Sequence, residues 1–188
     1  MVDDEMPELD RFSLLFQRGQ PVQRLSVMSN LPQLYASHGA GPLERLLGLI
    51  SSEIPAMMRT AAADVDEEGT AVAAAQAIVA LVGIEGGAAG EPVPSSLMER
   101  VLLPMAMTAL EELPLAPAKE GAVSAEWLHA LLALLRARRM SVATLESVML
   151  PWALRFGDNQ TSVGHKLLCA HTLGALAQAN PEERWIQR

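Results

Sequence analysis

The chain has 188 residues, half of them apolar and 19% charged, and 14 basic against 22 acidic side chains leave a net charge of −8. This excludes general disorder, collagen and low-complexity sequence, and the acidic balance argues against nucleic acid or an anionic membrane as partner. The single cysteine, Cys169, excludes an internal disulfide framework and a multi-cysteine zinc site.

Alanine and leucine dominate, and apolar positions recur at three and four rather than at two, so helices are expected throughout. Residues 1–8 read as an acidic tail without the basic and apolar regions of a signal peptide. Leu9, Phe12 and Phe16 predict a first helix over 9–18, stopped near Gly19. Pro21 opens a second over 21–37, with Leu25, Met28 and Leu31 on its apolar face and Pro32 expected to kink or restart it. Pro42 opens a third over 42–63, interrupted around Pro55. Asp64 to Gly69 reads as an acidic turn. A fourth helix, 70–83, buries Val72, Ala75, Ile78, Val79 and Val82. Gly83 to Pro94 reads as a flexible loop, and Ser95 or Ser96 caps a fifth helix over 96–112. A proline-containing connection leads to a sixth over 123–138. The seventh spans 141–156, Gly157-Asp158-Asn159 is a turn, and the eighth, 161–179, ends at Asn180-Pro181. The longest nearly apolar run, Ala71–Ile84, is too short to cross a ~30 Å hydrocarbon layer. A cytoplasmic protein is expected.

Internal similarity separates a bundle from a solenoid. Leu102-Leu103-Pro104-Met105-Ala106-Met107 matches Met149-Leu150-Pro151-Trp152-Ala153-Leu154 at an offset of 47. Each has an acid five residues before the proline, Glu99 and Glu146, and a valine three before, Val101 and Val148. A proline inside a helix costs ~3 kcal/mol or more, so its recurrence implies a wanted bend. The second helix of each pair opens on a valine, at Val22, Val72, Val123 and Val163. The expected fold is therefore all-α: a right-handed α-solenoid of about four HEAT- or armadillo-like antiparallel helix pairs over residues 9–180. Residues 181–188, with Trp185 and Ile186, would cap it or start a further repeat.

Val22-Gln23-Arg24-Leu25-Ser26-Val27-Met28-Ser29-Asn30-Leu31-Pro32 resembles the first repeat of the protein phosphatase 4 regulatory subunit 4 family, HEAT-like relatives of the protein phosphatase 2A scaffolding subunit. The alanine-rich helix after Glu67-Glu68, the segment Glu126 to Leu132, and Val163 to Ala177 extend the resemblance. It implies a non-catalytic scaffold or regulatory subunit that holds a serine/threonine phosphatase catalytic subunit or another protein partner. A generic HEAT adaptor for cytoskeletal or transport partners is the alternative. A helical-bundle enzyme or ligand-binding protein is a third reading.

Local chemistry is sparse. His165 and Cys169 share one helix face at i, i+4, but His171 lies about 160° from Cys169 and offers no third ligand. Cys169 reads as a small core residue. Asp64 to Gly69 begins like a calcium loop, but its twelfth position is Ala75 instead of glutamate. The acids are better read as stabilising a helix N-terminus. Gly83 to Gly90 follows a helix, not a strand, so it is no phosphate loop. Arg136, Arg138 and Arg139 suit a helix C-terminus or a patch for an acidic partner. Trp127 and Trp152 read as core anchors. No catalytic residue, cofactor or metal is expected. The expected partner edge is the row of turns within each pair, carrying Asp64, Asp66, Glu67, Glu68, Lys119, Glu120, Asp158, Asn159 and Gln160.

Overall fold

A computed structural model of the chain describes residues 6–61, 64–84, 91–113, 122–158 and 162–179. The fold is all-α, with no strand among the described residues. Helices α1 (Glu8–Arg18), α2 (Pro21–His38), α3 (Ala40–Ala61) and α4 (Val65–Val82) form the first half. The third pair opens with a helix of three parts, Ser95–Leu97, a π-helical turn Met98–Leu102, and Leu103–Glu112, together called α5. Helix α6 is Ala122–Arg136. Helix α7 repeats the plan of α5 as Val142–Thr144, a π-helical turn Leu145–Met149, and Leu150–Arg155. Helix α8 is Val163–Ala179.

The two π-helical turns give the 47-residue echo a physical meaning. Leu103 donates its N–H to the carbonyl of Met98, and Leu150 donates to Leu145, each five residues back. A proline follows at once, Pro104 or Pro151. In a regular α-helix its ring would strike the carbonyl four residues earlier, and one hydrogen bond would be lost. The wider turn moves that carbonyl and re-registers the ladder before the proline arrives.

The other two helical prolines behave differently. Helices α2 and α3 continue unbroken through Pro32 and Pro55, so the expected interruption at Pro55 is absent, and of the kink or restart expected at Pro32 the restart is absent. Val27, Met28, Leu31, Leu34 and Tyr35 are buried on both sides of Pro32. At ~1.5–3 kcal/mol for each buried large side chain, a continuous helix outweighs the proline penalty.

Helix α4 starts earlier than its alanine run suggests. Asp64 is its N-cap, accepting a hydrogen bond from the backbone N–H of Asp66 at 2.9 Å, and the acids that follow lie in its first turn. The acidic turn expected at Asp64 to Gly69 is therefore mostly helix. Val72 sits two turns inside α4 and does not match Val22, Val123 and Val163, which open their helices. The expected serine cap of α5 is also absent: Pro94 precedes the helix and Ser95 begins it.

Packing follows chain order in two rows. The second helices of the pairs form one row, α2 on α4, α4 on α6 and α6 on α8, and the first two of these are the broadest contacts. The first helices form the other row, with α1 on α3 and α3 on α5. Helix α7 joins α5 through side chains, described below. The core runs between the rows as one cluster from Phe16 to Leu176. In α4 half of the buried positions are alanine, including Ala71, Ala74, Ala75 and Ala77. Small side chains let α2 and α6 approach it from both sides. Trp127 of α6 is fully buried, and its indole N–H has no partner among the described residues. Trp127 and Trp152 are both core residues, as expected.

Candidate partner-binding edge

Within a pair the chain reverses direction once, and the α3–α4 and α7–α8 reversals carry described candidate residues. At the first, Asp64 and Asp66 are exposed and Glu68 is half-buried. Their carboxylates lie at the N-terminus of α4, where the helix dipole favours negative charge. At the second, Asp158 is exposed just after α7. Lys119, Glu120, Asn159 and Gln160 fall outside the described residues.

Glu67 does not belong with its neighbours. It is only 8% exposed. Its Oε1 accepts from the guanidinium of Arg24 on α2, joining the first two pairs. Glu67 Oε2 and Arg24 Nε are buried without partners, so the contact uses one oxygen and one terminal nitrogen. Glu67, expected on the partner edge, is instead one half of a structural ion pair. Sequence separation hides it, because Arg24 lies 43 residues upstream.

Similar side-chain contacts close the other seams. Between the second and third pairs, Arg59 donates to Glu112 at 3.0 Å and Arg100 to Glu44 at 2.7 Å. Arg139 donates to the carbonyl of Val82 at 2.9 Å, at the C-terminus of α4. It was expected to serve its own helix end or an acidic partner, and instead it neutralises the end of the neighbouring helix. Between the third and fourth pairs, Glu111 accepts from Trp152 Nε1 at 2.7 Å and from Arg155 at 2.5 Å. Glu99 accepts from the backbone N–H of Ser141, the N-cap residue of α7. That hydrogen bond holds the Glu99 carboxyl below its ordinary range, against a smaller opposing push from burial.

His165 and Cys169 make no ligand pair. The His165 ring stacks on Phe156 with centroids 5.4 Å apart, and its Nδ1 lies 2.6 Å from Ser162 Oγ. Cys169 is buried, and His171 is exposed. Among the described residues no group of three histidine, cysteine or acidic side chains is placed to hold a metal ion. A pocket of about 430 Å³ lies where α1 meets the start of α3, lined by Pro7, Asp10, Ser13, Gly41, Pro42 and Arg45 among others. No described helix is long and apolar enough to cross a membrane. No protein-family model, curated protein or solved structure matches the chain.

Proposed function

We propose that the chain is a non-catalytic protein-binding scaffold, built as a short HEAT-like solenoid of four antiparallel helix pairs. The observation that carries this reading is the order of packing. Contacts join α2 to α4, α4 to α6 and α6 to α8 in one row, and α1 to α3 and α3 to α5 in the other, in chain order. A solenoid is the architecture in which each unit contacts only the next. The partner docks along the turns within the pairs, where Asp64, Asp66, Glu68 and Asp158 give the edge an acidic character. A basic partner surface fits it, and association would slow as salt screens the charges. The sequence resemblance names the first partner to try, a serine/threonine phosphatase catalytic subunit.

Two measurements test the proposal. Small-angle scattering should give a radius of gyration above the ~16 Å of a compact bundle of this length. Immobilised protein should bind the phosphatase catalytic subunit at low salt, and Asp66→Lys with Glu68→Lys should weaken that binding while helicity is kept. Asp64 and Glu67 must stay unchanged, because one caps α4 and the other holds Arg24. A compact scattering profile sinks the solenoid. Binding that ignores the charge reversal moves the docking face elsewhere, and a subunit that does not bind at all removes the phosphatase from the reading.

A further inference from the structure

The arginine run that closes α6 leads directly into a serine. Arg136, Arg138 and Arg139 stand five, three and two residues before Ser141, and Val142 follows it. Arginines ahead of a serine with an apolar residue after it form the charge pattern that arginine-directed serine kinases select. Acidic pockets take the guanidinium groups, and an apolar groove takes the following side chain.

The fold leaves this segment open to such an enzyme. Residues 137–141 lie outside regular helix, between Arg136, the last residue of α6, and Val142, the first of α7. Arg136, Arg138 and Ser141 are exposed, and Val142 is 51% exposed. Neither Arg136 nor Arg138 makes a side-chain hydrogen bond or ion pair among the described residues. Arg138 sits at φ 54°, in the left-handed region that disfavours a bulky side chain, and its N–H reaches the Leu135 carbonyl at a long 3.3 Å. Little therefore holds the segment against being drawn out in a kinase cleft. Arg139 differs, because it is docked on the carbonyl of Val82. Recognition then falls to the arginines five and three residues before the serine.

The order Arg-x-Ser-Val also occurs at Arg24-Leu25-Ser26-Val27. There it lies inside α2, Val27 is fully buried, and Arg24 is held by Glu67. Ser26 is not open to the same enzyme.

Ser141 is also where α7 is fastened. Its N–H donates to Glu99 of α5, and its hydroxyl accepts the N–H of Thr144 at 3.2 Å. A phosphoryl group on that hydroxyl brings a charge of about −1.5 to −2 beside the Glu99 carboxylate, and like charges so placed repel.

We propose that Ser141 is a phosphorylation site for an arginine-directed serine kinase, and that its phosphate loosens α7 from α5. The γ-phosphoryl group of ATP passes to Ser141 Oγ. An O–P bond forms there, the bond to the leaving oxygen of ADP breaks, and the hydroxyl proton goes to the catalytic aspartate of the kinase. In the product the phosphate repels Glu99, and the contact between the Ser141 N–H and that carboxylate is lost. The inference goes beyond the scaffold reading and stands whether or not the chain holds a phosphatase.

The folded full chain, incubated with ATP and protein kinase B, should gain one phosphoryl group, located at Ser141 by peptide mass mapping. Ser141→Ala should abolish the transfer. Arg138→Ala should lower kcat/KM for the kinase at least ~10-fold, as losing a charged pair across an interface does, and Arg136→Ala should lower it too. After phosphorylation the Ser141 amide should exchange with solvent faster, and the denaturation midpoint should fall. In Glu99→Gln the same phosphate should move the midpoint less. A chain that takes no phosphate, takes it on Ser26, or reacts equally well as Arg138→Ala overturns the site. A midpoint that does not fall, or that falls equally in Glu99→Gln, overturns the release of α7.

Discussion

Helices α4 and α8 hold equivalent places in the second row, and both are rich in alanine with few charges. Their surroundings separate them. Helix α4 is packed by α2 on one side and α6 on the other, and its alanines are buried. Helix α8 is packed by α6 and α7 and leaves Ala170 and Ala177 exposed along an apolar stripe. The same composition is a packing constraint where helices cover both sides and an exposed stripe where they do not. What decides is the number of neighbours, a property of position along the row that no local stretch of sequence carries.

Substitutions can break that contrast, and the largest effect is expected in the buried core of α6, which packs on α4. Trp127→Ala removes a fully buried indole between the rows. Truncations of this kind cost ~3–5 kcal/mol. Chemical denaturation should show that loss, and a change under 1 kcal/mol would mean that α4 and α6 are not locked together as described.

A matched pair of insertions sharpens the comparison. Ala75 on α4 is fully buried. Ala75→Leu forces three extra carbons into a packed contact and should destabilise by ~1–3 kcal/mol. Ala170→Leu on the open stripe of α8 should stay within ~0.5 kcal/mol. Equal losses at the two sites would erase the distinction between a helix covered on both sides and one that is not.

The first seam gives a smaller effect. Glu67→Gln keeps the size of the side chain and removes its charge beside Arg24. Hydrogen bonds to charged groups contribute ~1.5–3 kcal/mol, and partial exposure of Arg24 places this one near the lower end. Adding Arg24→Met to Glu67→Gln should recover part of the loss, which a double-mutant cycle measures. Additive effects of the two changes would show that no coupling joins α2 to α4 there.

Much of this arrangement is legible in the sequence. The three-and-four periodicity places eight helices among the described residues, and the Leu-Pro echo identifies α5 and α7 as copies. The signal for the true start of α4 is also present: an aspartate followed by a run of acids is the pattern of a capped helix N-terminus. It was outweighed by Gly69 and by the loop-like polarity of the segment. The π-helical turns are not legible, because a shift in hydrogen-bond register leaves no mark in composition. Nor is the difference between Glu67 and Glu68. The two are adjacent and alike, and only the folding of α2 against α4 brings Arg24 to one of them. The exposure of Ala170 and Ala177 on α8 is illegible for the same reason: in sequence their stripe resembles any core stripe.

The smallest expected effect lies at the last internal seam and depends on pH. Glu99 is held below its ordinary value mainly by the Ser141 N–H, with the hydroxyls of Thr144 and Ser141 assisting. A group whose folded pKa is depressed contributes stability above its unfolded value, here about 4.5, and loses it as pH falls through the folded one. Below about pH 5 the carboxylate should begin to protonate and release its hold on the start of α7. The Ser141 amide resonance should move through that range with a midpoint under 4.5. In Glu99→Gln it should stay flat, and the stability gap between the two proteins should close as the solution is acidified. Because the site is partly solvated, the gap is small even at neutral pH. If the Ser141 amide does not respond, the carboxylate is not the group that fastens α7 to α5.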